Sequence, residues 1–173
     1  MSEKCQLTRR QTGELVHTTE KFDEPVTGCA WHPDGATFVV GFLGLGNNLQ
    51  QLDLSGECIA QFSSTGRVLD IALSPNGRHL VTIDHKRHLS VIDLLDREQD
   101  YKTEMADEMS SVAISEDSKN VLFGTKDGEA RLVGIKSKLL RKSFVGQVSR
   151  EFMIKTTFGG AHDAFVATGS EGM

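Results

Sequence analysis

The strongest constraint in this sequence is a unit that recurs every 41 or 42 residues. In the first copy an apolar run, Val26–Trp31, enters the polar turn His32-Pro33-Asp34-Gly35, and a second apolar run, Phe38–Val40, leaves it. The same order returns at Ile71–Val81 and again at Val112–Phe123. Proline presets φ and glycine tolerates a positive φ, so Pro-Asp-Gly between two apolar runs predicts a turn between strands. A fixed period of this length is typical of a repeat array whose units pack on one another.

Within each unit, apolar alternation of period 2 predicts four short β-strands joined by polar turns. No segment has the 3.6-residue spacing of an amphipathic helix. Four strands in a period of about 41 residues describe one blade of a β-propeller, so we predict an all-β fold built of such blades. The predicted complete blades span residues 22–62, 63–104 and 105–145.

Both ends of the chain read as incomplete blades. Residues 1–21 resemble the end of a preceding blade, because Thr12–Val16 matches the outer strand Ser55–Ile59 at an offset of 43. Residues 146–173 read as the first half of a further blade, with two strands joined by a six-residue turn. We therefore expect either a fragment of a larger ring or a closed four-bladed ring, in which residues 1–21 and 150–173 complete one blade.

Composition narrows the classes of function. The chain is 38% apolar and 25% charged, which is ordinary for a globular protein, and its net charge is −5 with both signs interspersed. This balance argues against a nucleic-acid partner, which requires a basic face. No apolar run reaches the roughly 18–20 residues that span a bilayer, and residues 1–11 contain no apolar signal-peptide core. We expect no nucleic acid, membrane or small-molecule substrate as a partner.

The three cysteines form no pattern typical of a disulfide framework or a metal site. Cys29 and Cys58 lie inside apolar runs, so we expect both to be buried thiols, and we expect Trp31 to be a core residue of a first strand. Free thiols are typical of a reducing compartment, which predicts the cytoplasm or the nucleus.

Three segments resemble chemical sites but are expected to be structural. Gly41–Gly46 is glycine-rich, yet no helix follows that would complete a phosphate-binding loop. His85 and His88 lie three apart beside Asp84, but in a short hairpin they are expected to be part of a solvated turn rather than metal ligands. Basic residues on the outer strand of the third blade are expected to protect a sheet edge; they are Lys136, Lys138, Arg141 and Lys142.

An enzyme is the weaker hypothesis. The sequence has no nucleophile elbow, and its six histidines are scattered. No carboxylate pair recurs where the first strands would line a central channel. Asp70 is the one charged residue at those positions, and we expect it to meet water or a backbone donor. We therefore expect no catalytic residue, no metal and no cofactor.

The units are similar to WD40 repeats. The shared features are the period, the four strands, the hairpin turn Lys126-Asp127-Gly128 and an apolar-Asp pair that ends the third strand. That pair is Leu52-Asp53 in the first unit and Ile92-Asp93 in the second, where typical repeats have Trp-Asp. The third unit has Val133-Gly134 instead, and typical Gly-His pairs are absent, so these repeats are degenerate.

A more specific resemblance is to the WD-repeat subunit of GID/CTLH ubiquitin ligases. It rests on Phe22–Thr27 followed by Trp31–Gly35, and on Phe158–Gly160 followed by Phe165–Glu171, all in register with the repeat. It implies a C-terminal fragment of a ring of about seven blades. The LisH and CTLH helical segments that precede the propeller in that family are not in this sequence.

The resemblance implies a non-catalytic scaffold for protein–protein interaction, a substrate-recruiting or assembly subunit in proteasome-dependent degradation. Its partners would be ubiquitin-ligase subunits or substrates. A WD-repeat adaptor unrelated to ubiquitin, in chromatin or trafficking for example, is the alternative, because propellers have many unrelated partners.

In the layout usual for that family, one face carries the loop before the first strand and the hairpin between the second and third strands. Charged loops on one face suit protein recognition, because complementary charge sets orientation and on-rate. For any single residue the alternative is a solvated turn without a partner. The candidate partner-binding residues are Asp23, Glu24, Arg67, Asp107 and Glu108 in the loops, and Asn47, His85, Lys86, Arg87, Lys126 and Asp127 in the hairpins.

Overall fold

The structure, a computed structural model, describes residues 4–64, 66–147 and 153–171. Short antiparallel β-strands form this part of the chain, together with one 3₁₀ turn at Ala161–Asp163. Three four-stranded sheets follow one another, with a two-stranded sheet before them and another after them. In the described part of the chain, no helix has the length and apolar character needed to cross a membrane.

The strands are short, as the repeat predicts. In chain order they are β1 Gln6–Thr8, β2 Leu15–Thr18, β3 Val26–Trp31, β4 Thr37–Phe42, β5 Gly46–Asp53, β6 Cys58–Ser64, β7 Val68–Leu73, β8 His79–Asp84, β9 His88–Asp93, β10 Glu98–Glu104, β11 Met109–Ile114, β12 Asn120–Thr125, β13 Ala130–Gly134, β14 Leu140–Phe144, β15 Thr156–Gly159 and β16 Phe165–Thr168.

Each four-stranded sheet is an antiparallel meander, because strands that are neighbours in sequence are neighbours in the sheet. We call these sheets blade 1 (β3–β6), blade 2 (β7–β10) and blade 3 (β11–β14). The first strands of consecutive sheets lie side by side: β3 packs on β7, β7 on β11 and β11 on β15. In a propeller, consecutive blades lie with their innermost strands side by side. The same arrangement is present here and confirms the predicted fold class.

An apolar cluster lies on each side of the first two blades. Because side chains alternate along a strand, Phe38 and Val40 of β4 face the β1–β2 hairpin, whereas Val39 faces blade 2. Between blades 2 and 3 the largest fully buried side chain is Phe123. Each such apolar side chain contributes roughly 1.5–3 kcal/mol on burial, and the neighbouring blade is needed to bury it.

Polar contacts join consecutive blades at the first strands. Each first strand of a blade has a register irregularity at the same place, and in blade 2 it lies between Val68 and Asp70. The buried Asp70 carboxylate accepts hydrogen bonds from Val112 N at 3.1 Å and from Lys155 Nζ at 3.3 Å. The expectation that Asp70 meets a backbone donor is confirmed. In blade 3, Ser111 Oγ likewise accepts from the Thr156 backbone N at 2.9 Å.

Three expectations about burial were wrong. Cys29 and Cys58 are exposed, and Trp31 is 54% exposed. Cys29 and Trp31 lie on the side of β3 that faces the β1–β2 hairpin, and there they line an open cavity of about 460 Å³. The described chain has no first strand on that side, so nothing covers them. Cys58 begins β6, the outermost strand of its sheet, and apolar character in the sequence does not reveal that position.

The two-stranded sheets β1–β2 and β15–β16 do not pair with each other. The closed four-bladed ring is therefore not formed in this structure. The described residues form an open row of three complete blades with a half-sheet at each end.

Candidate protein-interaction face

In all three blades, the loop before the first strand contacts the hairpin between the second and third strands. In blade 1, Leu43 N donates a hydrogen bond to the Pro25 carbonyl at 2.9 Å. In blade 3, Lys126 N donates to the Glu108 carbonyl at 2.8 Å. Both loop types therefore lie on the same face of the sheets, and we call this the loop face.

In blade 2, two hydrogen bonds join the loop before β7 to the hairpin between β8 and β9. His85 N donates to the Arg67 carbonyl at 3.1 Å, and Arg67 N donates to His85 Nδ1 at 2.9 Å. His85 therefore carries its ring proton on Nε2. Asp84, which is 2% exposed, accepts from His88 N at 3.0 Å and contacts His88 Nδ1 at 2.9 Å. The two histidines have different protein partners. The turn is solvated at His85, Lys86 and Arg87, but the expectation of a solvated turn is wrong for the buried Asp84.

Hydrogen bonds also link the loop regions of consecutive blades. The buried Asn48 side chain donates to the Gly66 carbonyl at 2.7 Å and accepts from Ser64 N at 2.8 Å. In blade 2, Met105 N donates to the Arg87 carbonyl at 2.8 Å. The loops of the three blades thus form a continuous strip held by backbone contacts and by the Asn48 side chain.

The opposite face carries the turns between first and second strands, and these are linked in series too. His32 Nε2 donates to the Gly77 carbonyl at 3.2 Å, between blades 1 and 2. Asn76 N donates to Ser118 Oγ at 3.1 Å, between blades 2 and 3. Links on both faces make the relative position of consecutive blades well defined.

The structure brings the predicted partner-binding residues together on the loop face. Asp107 is partly buried and the others are exposed; they are Asp23, Glu24, Asn47, Arg67, His85, Lys86, Arg87, Glu108, Lys126 and Asp127. Their predicted role in binding a partner stays a prediction.

Four of these residues have their charge neutralised by a neighbour. Arg87 Nη2 contacts Glu104 Oε1 at 2.7 Å, and Asp107 Oδ2 contacts Arg131 Nη1 at 2.6 Å. Lys126 pairs with Glu108, and its side-chain hydrogen bond lowers the pKa of that carboxyl group. The Arg87 and Lys126 pairs are exposed, so solvent screens them and they add little to stability, whereas Asp107 and Arg131 are mostly buried.

Comparison with known proteins identifies the repeat. A family model described as "WD domain, G-beta repeat" matches residues 13–49 and 56–93. These two segments match the WD40 repeat. A solved structure of hydrazine synthase from Kuenenia stuttgartiensis superposes with a TM-score of 0.63 at 17% identity, covering 70% of this chain and 36% of that one. At that identity the likeness shows the fold alone.

Two curated relatives are similar over nearly the whole of this chain. It is 32% identical over 164 residues to "WD repeat-containing protein 26 homolog" of Arabidopsis thaliana. It is 26% identical over 167 residues to "GID complex subunit 7" of Schizosaccharomyces pombe. Each match covers 92% of this chain but only 27% and 32% of the relatives. The chain thus spans less than a third of the length of these two curated relatives.

Among the described residues, one cluster of side chains that could bind a metal ion was not predicted from the sequence. His79, Asp93 and Asp100 place one ligand atom each within 4.8 Å of one another. They belong to the separate strands β8, β9 and β10, so no spacing in the sequence signals the cluster. Arg78 Nε already donates to Asp93 Oδ2 at 2.6 Å. A metal ion would compete with this guanidinium, so the geometry favours an ion pair over a metal site.

Proposed function

We propose that this WD40-repeat chain is a non-catalytic scaffold that holds other proteins on its loop face, as part of a GID/CTLH-type ubiquitin ligase. A role as a WD-repeat scaffold in protein interaction follows from the repeats and the curated relatives. The ligase context is supported by the similarity to a protein named GID complex subunit 7. A location in the cytoplasm or nucleus is part of the proposal.

The observation that carries the proposal is the arrangement of charge along the loop face. The loop of blade 1 is acidic at Asp23 and Glu24, and the loops of blade 2 are basic at Arg67 and Lys86. Across the described ranges, none of these four side chains forms an ion pair. Charges that are exposed and unneutralised on a rigid strip can steer and orient a partner of complementary charge.

Blade 2 would contact an acidic segment of the partner. Lys86 is at the tip of its hairpin, and its backbone N–H donates to Asp84 Oδ1 at 2.9 Å, which holds the tip in place. Arg67 lies beside the same hairpin through its contact with His85. Two cations on a fixed hairpin and loop present a rigid basic patch, so little conformational freedom is lost on binding.

The test compares two charge reversals on opposite faces. Lys86→Glu changes the loop face, and Lys136→Glu changes an exposed lysine just after the third strand of blade 3, on the opposite face. We expect the tagged wild-type chain to co-purify with subunits of a GID/CTLH-type ligase core. Lys86→Glu should lower that recovery about five- to tenfold, because a favourable contact becomes repulsive. Lys136→Glu should leave it unchanged.

Two outcomes would contradict different parts of the proposal. If the wild-type chain recovers a stable set of proteins without ligase subunits, the ligase assignment is wrong and an adaptor unrelated to ubiquitin takes its place. If both reversals lower recovery equally, the loop face is not the binding surface. Circular dichroism of each variant separates loss of binding from loss of fold.

A further inference from the structure

A cleft between blades 2 and 3 lies on the face opposite the loop face. Its volume is about 290 Å³. Blade 2 lines it with His79 of β8 and Tyr101 of β10, and blade 3 lines it with the turn between β13 and β14. Both blades are complete four-stranded sheets, so the walls of the cleft do not depend on either half-sheet.

Two side chains of this cleft have a buried polar atom that lacks a hydrogen-bond partner among the described residues. His79 is 7% exposed and lacks a partner at Nδ1, and Tyr101 lacks one at Oη. A buried polar group without a partner destabilises the fold, so such groups are usually satisfied by the protein, by water or by a ligand. The two atoms therefore indicate a polar occupant of the cleft.

Two cations line the same cleft. Arg78 Nε donates to Asp93 Oδ2 at 2.6 Å, which holds the guanidinium in place while its two Nη groups remain as donors. Lys138 Nζ lies 4.7 Å from the centre of the Tyr101 ring, and within the described ranges no carboxylate pairs with it. Two cations beside an imidazole and a phenol form a set of donors that suits an anion with several oxygens.

The corresponding cleft between blades 1 and 2 lacks most of these groups. Strand register and turn position align Arg78 with Ala36, His79 with Thr37, Tyr101 with Ala60 and Lys138 with Arg97. Only the last of these four positions is charged in the neighbouring cleft. The two clefts share one backbone scaffold, so the donors between blades 2 and 3 are not required by the fold.

One carboxylate, Asp100, also lines the cleft. Its Oδ2 lies 3.7 Å from His79 Nε2, so its charge faces the imidazole. The nearby Asp93 carboxylate is already bound by Arg78 and by Leu95 N. An anion in the cleft is attracted by two cations and repelled mainly by Asp100, so the balance of charge favours an anion.

We propose that this cleft binds a phosphate group. Its oxygens accept from Arg78 and Lys138, and they also satisfy Tyr101 Oη and His79 Nδ1. A carboxylate has only two oxygens and would leave part of this set unpaired. The phosphate is either free or carried on a protein segment, and the two sources share this chemistry. The site goes beyond the proposed scaffold role, because it uses the opposite face and a different kind of ligand.

The only tyrosine of the chain, Tyr101, provides a direct test. Fluorotyrosine incorporated into the whole chain gives a single fluorine NMR resonance at the proposed site. Titration with inorganic phosphate at constant ionic strength should shift this resonance to saturation, with a Kd of about 1 mM or below, whereas chloride should not shift it. Phosphoserine with blocked ends is the second probe. At least about tenfold tighter binding than phosphate would indicate a protein-borne source, and equal or weaker binding a free one.

Three exposed positions provide the variants. Lys138→Gln should weaken phosphate binding about three- to tenfold, whereas the matched control Arg97→Gln, at the same turn position in blade 2, should leave the Kd unchanged. Asp100→Asn should tighten binding about two- to threefold, because it removes the one carboxylate that faces the site. An increase in affinity cannot result from loss of fold.

Three outcomes would overturn the proposal. In the first, phosphate and chloride shift the resonance alike, which would leave water as the occupant of the cleft. In the second, Lys138→Gln and Arg97→Gln weaken binding equally, which would place the phosphate elsewhere. In the third, Asp100→Asn weakens binding, which would show that the carboxylate attracts the ligand and that the cleft is a cation site.

Discussion

Replacing Asp70 by alanine measures how strongly one carboxylate joins blades 2 and 3. Asp70 is 6% exposed and accepts from Val112 N at 3.1 Å and from Lys155 Nζ at 3.3 Å. A hydrogen bond to a charged group contributes about 1.5–3 kcal/mol, and a buried N–H without a partner costs about 1–3 kcal/mol. The Lys155 side chain is mostly exposed, so its ion pair adds at most about 1 kcal/mol. Asp70→Ala should therefore lower the free energy of unfolding by about 2–4 kcal/mol.

Urea unfolding followed by circular dichroism measures this loss, and Asp70→Asn is the control. The asparagine keeps an acceptor oxygen for Val112 N but loses the charge opposite Lys155, so we expect a loss of about 1 kcal/mol. At about 2–4 °C per kcal/mol for a chain of this size, Asp70→Ala should lower the Tm by about 4–16 °C. If the alanine and asparagine variants lose the same free energy, the hydrogen bond to Val112 does not join the blades as argued.

Two further predictions concern a glycine and an ion pair. A Cβ at Gly66 would lie 2.6 Å from Cγ of the buried Asp84, so Gly66→Ala should lower the free energy of unfolding in urea by about 1–3 kcal/mol. Gly159 has open space around it, so the control Gly159→Ala should change that free energy by no more than about 0.5 kcal/mol. Equal losses for the two variants would refute the steric argument. Burial raises the pKa of Asp93, but the hydrogen bond from Arg78 and those from backbone donors outweigh burial, and the pKa is lowered. The stabilisation that the ionised Asp93 carboxylate provides is therefore present above the unfolded pKa of about 3.9, and it is lost as the pH falls through the folded pKa. Arg78→Gln should therefore show its full deficit in unfolding free energy at pH 7, and the deficit should shrink as the pH falls below the unfolded pKa of about 3.9. A deficit independent of pH would contradict this assignment.

Strand positions were predictable wherever local signals are strong. The apolar run Val26–Trp31 of the first unit is β3, and the run that begins at Ile71 in the second unit lies in β7, Val68–Leu73. Both strands combine apolar alternation with a polar turn that follows directly. The outer strand β10, Glu98–Glu104, is mostly polar, so apolar alternation predicts it only weakly. Its pairing with β9 decides that it is a strand, because strand preference depends on neighbours more than on composition.

The loop face was predictable in outline. The layout of the resembling family predicts that the loops before first strands lie beside the hairpins, and the contact of Arg67 with His85 follows that layout. The ion pair between Asp107 and Arg131 was not predictable, because Arg131 lies on a strand and its side-chain direction depends on packing. The clustering of His79 with Asp100 depends likewise on the pairing of separate strands.

Local residue patterns are enough to predict a series of four-stranded units, because turns and strands depend on residues within a few positions of one another. Which sides of those units are covered depends on how the units pack in space. Trp31 is in an apolar strand, and it is exposed because the described chain has no first strand on that side of β3. The residue of blade 3 that donates to Asp70 lies 42 residues further along the chain. Burial and edge pairing depend on distances in space, which a local pattern in the sequence does not encode.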